Sequence, residues 1–205
     1  MSAPLDLVEE TVRVAGRNLS LLRPRDPEAL LDEEAFEHEE FLPYWAELWP
    51  SSLALAAELA GRALRGTRVL ELGCGLAVPS IVAALDGAEV LATDWSPDAV
   101  ALAGRNAERN GAILSTALVG WASPQPLLEG SPWDVVAAAD VLYERRNVPQ
   151  LLELLPRLVD ERGVVLLAEP GRPAARAFLE EAAVRFRIEA SPPLYRLTLR
   201  ARTRA

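Results

Sequence analysis

Asp140 ends a run of five apolar residues, Val135 to Ala139, and Tyr143 follows three positions later. A carboxylate at the end of a buried run is costly to desolvate unless it meets a cation or a hydrogen-bond donor. The stretch VLELGCGLAVPS, residues 69–80, raises the same question: Glu71 precedes a turn with Gly73 and Gly75, and an apolar helix follows. Glycines in such a turn let a ligand approach the backbone closely. A second β-rich run ends at Asp94, about 20 residues on, the spacing at which a carboxylate meets the ribose hydroxyls of an adenine nucleotide. Trp95, directly after it, could lie against the adenine ring.

A dinucleotide fits this turn poorly. The sixth position counted from Gly73 is Val78 rather than glycine, and Glu71 would repel a pyrophosphate. A ligand with cationic groups suits it better, and S-adenosylmethionine (AdoMet) combines a sulfonium, an amino group and adenosine. Cys74 invites a nucleophile reading, but no His is placed to activate it, and a small space-filling residue is expected there.

The elements that must position these residues alternate strand and helix. Strands are expected over residues 68–72, 88–94, 112–120 (the weakest), 133–140 and 163–169. Helices are expected between them: one opening on the glycine turn, one capped by Ser96 with Pro97 at its first position and Gly111 after its end, and one with Pro156 as a kink. Residues 172–185 form a further helix, and two last strands, too close for a crossover, make an antiparallel pair. Ahead of all this, Pro50-Ser51-Ser52 reads as a helix start, with Ser51 or Ser52 as N-cap and an end near Leu64. Residues 1–45 form an N-terminal extension, with a hairpin over Thr11 to Arg23 and then an acidic helical or irregular segment. Several central strands are apolar throughout, as in strands covered on both faces. A single domain, residues 1–205, with a doubly wound, mostly parallel α/β sheet is expected.

ELGCGLA with ATDWS resembles motif I and the following acidic motif of seven-β-strand AdoMet-dependent methyltransferases. PYWAELWPSSLALAAEL, DVLYE and EPGRP narrow the resemblance to the protein-lysine methyltransferases of methyltransferase family 16, over residues 41–175. The group includes enzymes that methylate lysines of the electron-transfer flavoprotein β subunit, and bacterial relatives labelled as nicotinamide N-methyltransferases. The resemblance implies a Rossmann-like fold and AdoMet as cofactor. It places Gly73, Cys74 and Gly75 against the methionine part, Glu71 at its amino end and Asp94 on the ribose. Trp45 or Trp49 would cover the cofactor. Trp95, Trp121 and Ala139 join the cofactor-contacting set. Two departures stand out: the family's acid before Trp121 is absent, the stretch reading Val119-Gly120-Trp121, and the third motif glycine is Ala77.

Ligands of open α/β sheets bind beyond the carboxyl ends of the strands, which puts the reactive methyl near Asp140 and Tyr143. Methyl transfer needs alignment and a neutral amine; deprotonating a free lysine at pH 7 costs on the order of 4–5 kcal/mol. A nearby carboxylate favours the ammonium, so Asp140 is expected to capture and orient the amine rather than act as a strong base. Tyr143 would hydrogen-bond the amine or offer its ring face. Arg172 either contacts substrate or pairs with an acid. Trp45 and Trp49, four apart, would share a face on a helix, and Trp49 serves equally as core packing.

Composition limits the alternatives. A net charge of −9 argues against nucleic acid as the main partner. All 21 basic residues are arginine, so lysine automethylation is impossible. One Cys excludes an intrachain disulfide and fits a reducing cytoplasm. One His, in the acidic segment, leaves no multi-His metal site, and no metal is expected. Neither a signal peptide nor a membrane span is read, and a monomer is favoured. The resemblance implies a protein lysine, or a small amine, as the acceptor. A non-catalytic nucleotide-binding module remains the reading from another class.

Overall fold

The structure, a computed structural model, describes residues 5–30 and 43–201. The acidic segment with His38 lies outside the described residues, apart from a short 3-10 turn at Glu28–Leu30.

The centre is a seven-stranded sheet, with β3 (Arg68–Leu72), β4 (Glu89–Asp94), β5 (Ser115–Leu118), β6 (Val135–Ala139), β7 (Val164–Ala168), β8 (Phe186–Ser191) and β9 (Leu194–Leu199) in the order β5-β4-β3-β6-β7-β9-β8. Strands β3 to β7 pair in parallel. β9 is antiparallel to both β7 and β8, so the C-terminal pair folds back and inserts its second strand against the sheet. The apolar runs divide their residues between two cores by simple alternation. Leu70, Leu72, Val136, Ala138, Val165 and Leu167 face one core, and Val69, Val135, Ala137, Val164, Leu166 and Ala168 face the other.

Helices cover both faces. α1 (Pro50–Ala60), α2 (Val78–Leu85) and α3 (Pro97–Arg109) lie on one side, and α4 (Gln125–Glu129), α5 (Asn147–Leu158) and α6 (Pro173–Ala182) on the other. α3 starts as its sequence requires: Ser96 Oγ accepts from the Ala99 amide at 3.3 Å, and Pro97 follows. α1 departs from expectation. Pro50 is itself helical, Trp49 is the N-cap without a side-chain hydrogen bond, and the helix ends at Ala60, with Gly61 as C-cap, rather than near Leu64. Proline at the first position makes a hydroxyl cap downstream unnecessary, and Ser51 is buried instead. Pro156 lies inside α5, in its last turn. α4, a single short turn, has no counterpart in the sequence reading. Among the described residues, no helix is long and apolar enough to cross a membrane.

The hairpin is longer than the expected Thr11 to Arg23: β1 (Leu7–Val14) pairs with β2 (Arg17–Pro24) over its whole length. Its two-residue turn, Ala15-Gly16, has positive φ at both positions, 50° and 78°, which matches the twist of the flanking strands. Val12, Val14, Leu19 and Leu21 are buried against α1, α2 and α3; each side chain contributes about 1.5–3 kcal/mol on burial. The outer edge of β2 is held by two side-chain amides, Asn106 in α3 and Asn110 at its C-cap. Asn106 accepts from the Leu22 amide at 2.7 Å and donates to its carbonyl at 3.1 Å, and Asn110 does the same for Ser20 at 2.9 and 2.8 Å. Asn106 also reaches the Leu76 carbonyl, at 3.4 Å, in the glycine turn.

Candidate functional site

The strand order reverses between β3 and β6: the chain runs outward through β4 and β5 on one side and through β7 on the other. Such a switch point opens a crevice at the carboxyl ends of the strands. The residues expected to hold the cofactor and the acceptor converge there. Trp45, Glu71, Gly73, Cys74, Gly75, Asp94, Trp95, Trp121, Ala139, Asp140 and Tyr143 all line one cleft.

The glycine turn is held from several sides. Gly73 and Gly75 have φ of 66° and 48°, where a side chain is strained. A Cβ on Gly73 would lie 3.1 Å from Val141 Cγ1, and one on Gly75 would lie 3.0 Å from the Trp45 carbonyl oxygen. Asp94 ties the turn to the next strand: its Oδ2 accepts from the Gly75 amide and its Oδ1 from the Ser96 amide, both at 3.0 Å. Ala77, where the family has glycine, keeps the left-handed conformation at φ 61°. The replacement therefore carries backbone strain of about 1–2 kcal/mol rather than being conformationally neutral. Cys74 packs with Ala77, Ala92 and Ala103, and burial keeps its thiol protonated.

Glu71 is fully enclosed. Oε2 accepts from the Ser80 amide at 3.0 Å and from its hydroxyl, while Oε1 is buried with no hydrogen-bond partner among the described residues. Burial raises its carboxyl to about 8, against the opposing Ser80 bonds. Burial likewise raises Asp94. An orphaned carboxylate oxygen in a cleft wall is a site for a cationic donor. The residues present fit AdoMet on these grounds: Glu71 for its ammonium, the unused lone pairs of Asp94 for ribose hydroxyls, and the rings of Trp95 and Trp121 for adenine.

The other end of the cleft is aromatic. Tyr44 and Trp45 belong to a 3-10 turn, Tyr44–Ala46, while Trp49 lies beyond it as the cap of α1. The two tryptophans therefore do not share a helix face. Trp49 lines the cleft and donates Nε1–H to the Tyr44 carbonyl at 2.8 Å. Tyr44 packs on Tyr143 with ring centroids 5.0 Å apart. Burial, with Glu144, Asp94 and Tyr44 nearby, pushes the Tyr143 hydroxyl up to about 12, against a hydrogen bond with the Trp95 side chain. It stays protonated at any physiological pH.

Asp140 leaves the end of β6 with φ 53°, a left-handed conformation rarely taken outside glycine, asparagine and aspartate. Its amide donates to the Ala168 carbonyl at 2.8 Å. Its carboxylate is not alone: Arg172 donates Nε–H to Oδ1 at 2.5 Å and Nη2–H to Oδ2 at 3.0 Å. Arg172 therefore pairs with an acid, the alternative that the sequence left open. Its guanidinium carbon also stands 5.7 Å from the Trp49 ring centroid. Sequence reasoning missed Glu47, Leu76 and Val141 as cleft residues; PYW was the visible signal for Tyr44.

Comparison with known proteins gives this cleft a context. A family model described as lysine methyltransferase matches residues 44–183. The electron transfer flavoprotein beta subunit lysine methyltransferase of Xenopus laevis is 34% identical over 138 residues, 63% of this chain and 53% of that protein. The histone-arginine methyltransferase METTL23 of the same species is 30% identical over 162 residues, 76% of this chain and 64% of that protein. The chain thus spans about half the length of the first of these relatives. Among solved structures, the T. thermophilus 16S rRNA N2 G1207 methyltransferase RsmC, in complex with AdoMet and guanosine, superposes with a TM-score of 0.66. It is 18% identical and covers 97% of this chain and 52% of that one, a likeness of fold. With more than half of its length matched by the family model, this chain belongs to the lysine methyltransferase family.

Proposed function

We propose that the chain is an AdoMet-dependent N-methyltransferase acting on a lysine side chain of a protein. The observation that carries this reading is the cleft: an orphaned Glu71 oxygen, the glycine turn and Asp94 at one end, and Asp140 with Tyr143 at the other. When bound, AdoMet supplies a methyl group on a sulfonium, which departs as the neutral thioether. The chain's own residues do the rest. Glu71 and Asp94 would hold the cofactor, and Trp95 and Trp121 would flank its base. Asp140 and Tyr143 would bind and orient the incoming nitrogen. The protein as acceptor is supported by the cleft mouth, where Tyr44 and Trp95 are 38% and 41% exposed, a rim that a larger molecule can reach. A small amine is the same chemistry in a different container.

Isothermal titration should show binding of AdoMet and none of NAD; NAD binding without AdoMet binding overturns the reading. Labelled AdoMet added to a cell lysate with this protein should mark a lysine in another protein, since this chain has none. Asp140→Ala should leave affinity for AdoMet nearly unchanged and abolish transfer; surviving transfer removes Asp140 from the reaction.

A further inference from the structure

Arg172 is the only base among the described residues that line the cleft; Glu47, Glu71, Asp94 and Asp140 are its acids. It is placed with care. Gly171, at φ 101°, turns the loop after β7, and the Gly171 and Arg172 amides donate to Glu169 Oε1 at 3.3 and 2.9 Å. The side chain then crosses Trp49 and closes a two-point pair on Asp140, whose side chain is 5% exposed against 33% for Arg172. The charged and titratable groups acting on this pair are Glu169 and Tyr44, and Tyr44 in turn packs on Tyr143.

The pairing resolves a conflict in the chemistry. A bare, buried carboxylate would hold an acceptor as ammonium and oppose the proton loss that frees its lone pair. A carboxylate engaged by a guanidinium through one lone pair on each oxygen keeps a second on each, so it still accepts an N–H bond. Its charge is already balanced. We infer that Arg172 compensates Asp140, so that the carboxylate orients an uncharged amine instead of trapping an ammonium. Arg172 is then a positioning residue that sets the charge preference of the acceptor site.

This rests on the methyltransferase reading, and the test separates the two. The probe is n-butylamine, a lysine side-chain mimic, titrated at pH 7 into protein saturated with S-adenosylhomocysteine. Wild type should bind the ammonium form weakly. Arg172→Gln exposes the carboxylate charge and should bind it about 10- to 100-fold tighter, the scale of a charge-assisted bond. Arg172→Lys, which keeps the charge, should stay within a few-fold of wild type. The double variant Asp140→Asn with Arg172→Gln has the same net charge as wild type and should also match it. On the lysine substrate, Arg172→Gln should lower KM and kcat together at pH 7, with kcat recovering as pH rises. Arg172→Gln binding no tighter than wild type overturns the inference. If that variant is too unstable to titrate, the double variant decides: a tenfold loss relative to wild type means that Asp140 traps ammonium despite Arg172. Failure of wild type to bind S-adenosylhomocysteine sinks the methyltransferase reading instead.

Discussion

Substituting Gly75 by alanine tests how the cleft is built. Three glycines share a left-handed backbone but differ in surroundings: at Gly16, with φ 78°, an added Cβ would have nothing within 4 Å, at Gly73 it would meet the Val141 side chain at 3.1 Å, and at Gly75 the Trp45 carbonyl at 3.0 Å. Gly16→Ala isolates the backbone term. The left-handed penalty of about 1–2 kcal/mol is partly offset by the lower entropy of the unfolded alanine chain, leaving about 1 kcal/mol. Gly75→Ala carries the same term plus displacement of a backbone oxygen that has no rotamer to escape into. Overpacking of this kind adds about 1–3 kcal/mol, for a total of about 2–4. Gly73→Ala should fall between, since a valine methyl can move. Equilibrium denaturation of the three variants measures the differences, and about 2–4 °C of Tm per kcal/mol gives a second readout. The Trp45 turn forms one wall of the cleft, so Gly75→Ala should also weaken S-adenosylhomocysteine binding, whereas Gly16→Ala should not. Equal costs for Gly75→Ala and Gly16→Ala would refute the contact with Trp45 as the constraint on this turn.

Glu71 makes stability depend on pH in a specific direction. Its folded value, about 8, lies above its ordinary 4.5, so its contribution is complete below about pH 4.5 and is lost as pH rises through 8. Glu71→Gln should therefore match wild type near pH 4 and exceed it by on the order of 3–5 kcal/mol near pH 9. Glu71 and Asp94 raise one another through their charges, so the difference reports Glu71 together with its coupling to Asp94, and a pH-independent difference would count against it. Asn106, fully buried with bonds to Leu22 and Leu76, should cost about 2–4 kcal/mol as Asn106→Ala and speed amide exchange at Leu22. Unchanged exchange there would mean that the hairpin is held by its apolar face alone.

What was legible in the sequence was local chemistry. Ser96-Pro97 announces a helix start because capping involves only neighbouring residues; Asp94 and Asp140 stood out because each closes an apolar run, and Gly73 and Gly75 because they make a turn, whereas Trp45 and Trp121 came from the family resemblance. The Trp45 and Trp49 relation failed because Ser51 and Ser52 resemble caps while Pro43 and Pro50 set the actual boundaries of turn and helix. Arg172 was seen, but its partner lies 32 residues away, and no periodicity reports a contact between two strand ends. The insertion of β9 beside β7 is equally non-local. The amides of Asn106, in α3, and Asn110, at its C-cap, were overlooked although they stand four apart, a signal that becomes visible once an unpaired strand edge is known to need a cover.

That amide pair makes the hairpin an exchangeable cassette. Alternate residues of a strand repeat every ~6.7 Å and helical residues four apart rise by ~6 Å, so a helix can clasp a strand at two successive points before the two repeats drift out of step. The clasp grips only the peptide groups of residues 20 and 22 and reads no side chain through them. A foreign hairpin with small or apolar residues on its inner face, and peptide groups presented at those two points, should dock in the same register. Its turn, Ala15-Gly16, lies outside the clasped residues, and with Arg17 kept on Asp86 it is a place where a recognition sequence can be grafted onto a methyltransferase without touching its sheet.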